Sequence, residues 1–181
     1  MTDPQKADLA GLAPLPTTSE ALFSHFERLS LSYKLYRHDP VFTVEESQHL
    51  TETIPGTHCR NLFVRDKKEI MFLVVVPNET KVDMKKLEGV LGCARLSFGS
   101  PDRLWKYLGV RPGSVCPYSI INDTGNNVRI VLDKGMMAAD LVTYHPMENH
   151  MSVTMTPADL TKFIESTGHV PHIIDLKDAA P

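Results

Sequence analysis

Apolar residues recur along this chain with two periods, close to 3.6 in some stretches and close to 2 in others, and the changes between them mark out helices and strands. Leu22, Phe23, Phe26 and Leu29 fall on one helical face. They follow Thr17-Thr18-Ser19-Glu20, which has capping-box spacing with Thr17 as the cap. Tyr33 and Leu35 alternate with polar neighbours, as a half-buried strand requires. Thr43-Val44-Glu45-Glu46 repeats the capping spacing and predicts a short helix opening there. Residues 61–65 and 69–77 predict two strands joined by the charged turn Asp66-Lys67-Lys68. The second contains an unbroken apolar run from Ile70 to Val76, the mark of a central strand covered on both faces. Asp83 caps a helix with Leu87, Val90 and Leu91, ended by Gly92. Leu96 and Phe98 mark another strand, and Ser100-Pro101 opens a helix carrying Leu104, Trp105 and Leu108.

The last third reads mostly as strand, over 115–121, 128–132, 141–144 and 151–155, with a turn at 122–127. A final helix capped by Thr156 presents Leu160, Phe163 and Ile164 on one face. Strands outnumber helices and do not alternate with them one for one. The expected fold class is therefore α+β, a central mixed and largely antiparallel sheet flanked by helices. Residues 1–16, rich in Pro and Ala, read as a flexible N-terminal tail, and 17–176 as one domain.

Composition narrows the classes further. At 42% hydrophobic and 23% charged residues, the chain has the make-up of a soluble globular protein. Its longest apolar run, 70–76, falls far short of the roughly 20 residues a membrane helix needs. The first residues carry Asp3 and Asp8 and lack the apolar stretch of a secretory signal. Cys59, Cys93 and Cys116 are widely spaced and form no CxxC, which speaks against a disulfide framework or a zinc site and for a reducing cytoplasm. Net charge is −3 but uneven: residues 60–111 hold 11 Lys/Arg against 6 Asp/Glu, while 1–59 and 112–181 each hold 4 against 8. A basic middle suits contact with phosphates, and equally a solvated charged surface.

None of the common catalytic signatures occurs: no GxSxG, HExxH, P-loop or GxGxxG. Three local groupings carry chemistry. In Arg111-Pro112-Gly113-Ser114-Val115-Cys116-Pro117, a glycine between two prolines shapes a loop. Its amides at Gly113, Ser114 and Val115 suit a carbonyl or developing oxyanion, or simply close a turn before a strand. His145, held extended by Pro146, titrates near neutrality and serves either as a reactive group or as a hydrogen-bonded structural residue. Arg60 and Asn61, at the entry to a strand, offer donors for phosphate or carboxylate, or cap an exposed strand end. Cys59 would need a base; its neighbour His58 makes a poor dyad because adjacent strand residues face opposite ways.

In order along the chain stand His38-Asp39-Pro40 with Thr43-Val44-Glu45-Glu46, the stretch from Asn61 to Lys68, Ser97-Phe98-Gly99-Ser100-Pro101, the stretch from Gly109 to Pro117, Ile121-Asn122-Asp123-Thr124, and His145-Pro146-Met147-Glu148-Asn149. Together they resemble the prolyl-tRNA-synthetase-associated (YbaK-type) editing domains, most of all the stand-alone deacylases of alanyl-tRNA(Pro), over roughly residues 18 to 175. The resemblance implies hydrolysis of the ester on a mischarged tRNA, most of all Ala-tRNA(Pro), without metal, cofactor or protein nucleophile. It implies that Gly113 to Pro117 is the family's GxxxP loop, whose backbone holds the substrate carbonyl. Arg60, Gly113, Ser114, Val115 and His145 are then the expected catalytic residues, with Asn61, Pro117 and Asn149 binding substrate. The implied partners are the acceptor end of a mischarged tRNA and prolyl-tRNA synthetase. One departure stands out: the family's lysine before Asn-Leu-Phe is Arg60 here, which keeps the charge but cannot act as a neutral amine. That substitution supports the rival reading, a non-catalytic module that binds aminoacyl-tRNA or a synthetase.

Overall fold

The computed structural model describes residues 12–41, 43 and 45–181. Its helices are α1 (Ser19–Arg28), α2 (Gln48–Thr53), α3 (Met84–Leu91), α4 (Pro101–Leu108), α5 (Lys134–Met137) and α6 (Pro157–Ser166). Its strands are β1 (Tyr33–Arg37), β2 (Thr57–Asp66), β3 (Met71–Pro77), β4 (Leu96–Phe98), β5 (Val128–Asp133), β6 (Val142–Tyr144), β7 (Met151–Met155) and β8 (His172–Ile174). They form one mixed sheet in the order β1-β7-β6-β2-β3-β5-β8, with β4 added to β2. The β1–β7, β6–β7, β2–β3 and β2–β4 pairs are antiparallel, and β2–β6, β3–β5 and β5–β8 are parallel. The α+β expectation holds.

β3 is the central strand its apolar run predicted, and its alternation builds two cores. Met71, Leu73 and Val75 pack on one face with α1, α4 and α6 through Phe26, Leu104, Leu108 and Phe163. Phe72, Val74 and Val76 pack on the other with Leu87 of α3 and with Leu176 and Ala179. The core therefore reaches past residue 176.

β2 organises the site. One edge pairs with β3 from Cys59 to Arg65. The opposite edge is shared between two strands: β6 takes Thr57 and His58, and β4 takes Val64 to Asp66. Thr57 N–H donates to Leu141 O on that edge, and Phe63 O accepts from Gly99 N–H. By the alternation of a strand, the backbone groups of Asn61 and the carbonyl of Cys59 point into the gap between β6 and β4.

Several local expectations need correction. Thr18, not Thr17, caps α1, its Oγ1 accepting from Ala21 N–H, while Thr17 donates to Asn122 Oδ1 at 2.6 Å. Thr43 Oγ1 accepts from Glu46 N–H, but α2 starts only at Gln48; Val44 lies outside the described residues. The strand expected over 115–121 is instead a 3-10 helix from Pro117 to Asn122. Pro117 has no N–H to offer a ladder, and Cys116 O accepts from both Ser119 N–H and Ser119 Oγ. Of the expected tail, residues 1–11 lie outside the described residues. Ala13 O accepts from Arg111, and a Cβ built on Gly109 would fall 2.3 Å from Pro16 Cγ, so residues 13–16 lie against the loop after α4.

Asp123 ties the 3-10 helix to β5 and the C-terminal segment. It is buried and accepts from Val128 N–H at 2.7 Å, Asn127 Nδ2 at 3.0 Å and His169 Nε2 at 3.0 Å. Burial alone would push its carboxyl up, but the bonds from His169, Val128 and Asn127 outweigh it and hold the group below the usual 3.8. A depressed carboxyl stabilises the fold above its unfolded pKa, and that stabilisation is lost as pH falls through the folded value. Asp123→Ala should cost about 3 kcal/mol in urea unfolding at pH 7, because it orphans buried donors. The gap between variant and parent should narrow as pH approaches 3.

Candidate active site

The gap in β2 opens into a hollow of about 250 Å³. His58, Cys59, Arg60 and Asn61 form its floor, Gly113 and Val115 one lip, and Thr143, Tyr144 and His145 of β6 and the following turn the opposite wall. Val41, Thr43, Ser47 and Leu50 close the outer side, with Asn78 and Ser152 completing the lining.

The loop from Arg111 is shaped by one backbone feature. Gly113 has φ +87, yet a Cβ there would meet nothing within 4 Å, so backbone conformation and not crowding calls for glycine. The turn closes through Ser114 N–H donating to Arg111 O at 3.0 Å. Ser114 thus departs from expectation: its amide is taken up in the turn, and the residue does not line the hollow. The Gly113 and Val115 amides meet no acceptor among the described residues. Asn61 fixes the loop to the sheet, its Nδ2 donating to Val115 O at 2.9 Å. That bond also fixes the amide's orientation, since a carbonyl can only accept. Asn61 Oδ1 is left buried with no partner among the described residues.

Arg60 lines the hollow, but its guanidinium is partly engaged. Nη2 donates to Thr80 O at 2.6 Å, and Nε is buried with no partner among the described residues. Asn61 Oδ1 and Arg60 Nε are thus two unmatched polar atoms on opposite faces of β2, each costing about 1–3 kcal/mol until a partner meets it.

On the far wall, His145 Nδ1 donates to Met151 O at 2.7 Å. In the neutral ring the proton is then on Nδ1, and Nε2 keeps its lone pair. Burial lowers the pKa of His145 below 6.5, with repulsion from His38, His58 and His150 adding to it against the Met151 bond. The His38 ring lies 5.8 Å away, held by Nδ1 donating to Asp39 O and by Nε2 against Ser152 Oγ at 2.9 Å.

Cys59 is no nucleophile: burial pushes its thiol up to about 12. His58, its neighbour, points Nε2 to Ile54 O at 2.8 Å instead. Pro117 is buried and starts the 3-10 helix, outside the hollow. Asn149 acts at one remove, its Nδ2 and carbonyl gripping Val41, which lines the hollow. Sequence reasoning missed Asn78, Thr143 and Ser152. Thr143 stands two residues before His145, and no signal in the chain points to the other two. Among the described residues, no three His, Cys, Asp or Glu side chains come together as a metal site. No helix among them is long and apolar enough to cross a membrane.

Residues 38–163 match the family model of the aminoacyl-tRNA editing domain. The prolyl-tRNA editing protein ProX of Acetoanaerobium sticklandii is 35% identical over 158 residues, covering 87% of this chain and 96% of that one. Prolyl-tRNA synthetase associated domain-containing protein 1 of Danio rerio is 34% identical over 167 residues, 91% of this chain and 90% of its own. The fold recurs in the crystal structure of hypothetical protein APE2540, with TM-score 0.66 at 18% identity over 84% of this chain and 97% of that one. By sequence and by fold, this chain belongs to the aminoacyl-tRNA editing domain family, in its prolyl-tRNA-synthetase-associated branch.

Proposed function

We propose that the protein is a trans-editing deacylase that hydrolyses the ester of a mischarged tRNA, Ala-tRNA(Pro) above others. The observation that carries this reading is the meeting of Asn61, Arg60, Gly113, Val115 and His145 around one small hollow. Its volume, about 250 Å³, falls below the roughly 300–1,000 Å³ of pockets that enclose a whole drug-sized ligand. A small aminoacyl group fits inside, with the nucleotide at the mouth. Size selection then suits alanine, since each further methylene changes binding by only about 1–3 kcal/mol in an open site but clashes in a closed one.

In this reading the ester carbonyl oxygen accepts from the free amides of Gly113 and Val115, and Asn61 Oδ1 receives the α-ammonium. Water adds to the carbonyl carbon; the bond to the ribose 3′ oxygen breaks; that oxygen takes a proton and the amino acid leaves as its carboxylate. Nε2 of neutral His145 accepts the proton of the attacking water or the neighbouring ribose hydroxyl. Two preorganised amides favour the oxyanion, each typically worth about 3–4 kcal/mol in such sites. The free thiols of Cys59, Cys93 and Cys116 suit a cytoplasmic enzyme. A second reading, capture of aminoacyl-tRNA or of prolyl-tRNA synthetase without turnover, is favoured by one observation, the tie of Arg60 to Thr80 O.

Single-turnover deacylation of Ala-tRNA(Pro) decides between them: Arg60→Lys should retain hydrolysis, and absence of hydrolysis above the spontaneous rate, over a panel of mischarged tRNAs, would leave only the capture role. Asn61→Ala frees the loop as well as the ammonium site and should slow hydrolysis roughly 100-fold or more. The rate should hold through pH 6.5 and fall only in more acid solution, because burial lowers the pKa of His145, and His145→Gln should abolish that acid limb. In native protein at pH 8, Cys59 should react with iodoacetamide at least about 100-fold more slowly than in urea, because almost none of it is thiolate.

A further inference from the structure

We propose that the outer side of α4 and the loop after it receive the 3′ acceptor strand of the tRNA as it leaves the hollow, with Arg111 stacked on Trp105 at the inner end of that surface. The proposal rests on the editing reading above and names a route that reading leaves open.

Two ways lead out of the hollow. One continues past His58 and Asn78 into a second depression of about 720 Å³. It is the roomier, but its lining carries Glu45 and Glu79 and no lysine or arginine. Phosphodiesters would meet two carboxylates there with no cation to offset them.

The other way crosses the lip at Gly113. Two residues back, Arg111 has its guanidinium carbon 5.1 Å from the ring of Trp105 and donates to Ala13 O, so the cation is held in place at the lip. Trp105 stands in the middle of α4, and Lys106 beside it is exposed. At the start of the helix, Arg103 bonds to Glu69 at 3.0 Å, and Arg65 meets the same carboxylate at 2.5 Å. Lys67 and Lys68 are exposed in the adjoining turn. Eight residues of helix span about 12 Å, so the track runs from the hollow to this turn over the length of a few nucleotides. Facing carboxylates are Glu69, shared by two arginines, and Asp102; Asp66 is buried, bonded to the amides of Lys68, Ile70 and Ala94. Six of the eleven lysines and arginines of the basic middle, Arg65, Lys67, Lys68, Arg103, Lys106 and Arg111, thus fall along this path. It starts beside the reacting centre, and a stacked guanidinium opens it, the kind of plane on which unpaired bases stack.

Trp105 is the sole tryptophan, so its emission reports on this surface directly. The full chain is titrated with an uncharged RNA hairpin that copies an acceptor stem and ends in CCA, at several salt concentrations. Saturable change in tryptophan emission is expected. Lys106→Glu should weaken binding roughly three- to tenfold and flatten the dependence of log K on log salt by about 1. Arg111→Ala should do the same, and Lys177→Glu, an equal charge change elsewhere, should not. Lys106 is exposed on its helix, so that variant remains informative even if Arg111→Ala folds poorly. Unchanged affinity and salt slope in Lys106→Glu, or an equal loss in Lys177→Glu, would overturn the proposal. Hairpin binding needs no turnover, so a protein that failed to hydrolyse Ala-tRNA(Pro) yet bound RNA through α4 would keep this surface while losing the editing reading.

Discussion

Asn61 joins the loop from Arg111 to the sheet through one side-chain hydrogen bond, and it stands on a strand, β2, that has more length than its neighbours cover. β3 pairs β2 through seven positions. On the other edge β6 ends after His58 and β4 begins only at Val64. Main-chain groups in such a gap need partners or water. The loop from Arg111 to Pro117 fills it only in part, joined by Asn61 Nδ2 to Val115 O. The hollow lies beside that uncovered stretch, with Cys59, Arg60 and Asn61 of β2 in its lining.

The floor and walls of that hollow divide their tasks. On β2, Asn61 keeps an unmatched buried acceptor on one face and Arg60 an unmatched buried donor on the other. His145 on the wall is complete on one side, bonded to Met151 O, and kept neutral by burial with three other imidazoles nearby. Beneath them lie groups that do no chemistry: the thiols of Cys59 and Cys116 are pushed up to about 12 and about 11 by burial. In the proposed reaction the work falls to preorganised dipoles and one neutral imidazole.

Much of this was readable from the chain, and the failures have local causes. The run from Ile70 to Val76 announced a strand covered on both faces, and Asp83, Ser100 and Thr156 announced helix caps that all accept the expected amides. Thr17 and Thr18 are equivalent locally; Asn122, far along the chain, claims the first and leaves the second as the cap. Residues 115–121 have the apolar content of a strand, but Pro117 removes a ladder donor and Ser119 turns back on Cys116. His172-Ile173-Ile174 is too short to show alternation, and β8 exists because β5 offers it a parallel edge. At the site, Arg60, Asn61, Gly113, Val115 and His145 were legible as residue types in suggestive places. The closure of the turn by the Ser114 amide, and the arrival of Asn78 and Ser152, depend on register between strands, which no single segment encodes.

The β2–β6 contact has a mechanical consequence. Among the described residues, only Thr57 with Val142 and His58 with Thr143 join β1, β7 and β6 to the rest of the sheet through strand pairing, and the hollow straddles that narrow seam, with His145 on one side and Asn61 on the other. A small twist about the seam changes the separation between His145 and Asn61, so the shape of the hollow and the cohesion of the two halves are a single coupled quantity. Any molecule that touched both walls would act as a splint across the shortest strand pairing among the described residues.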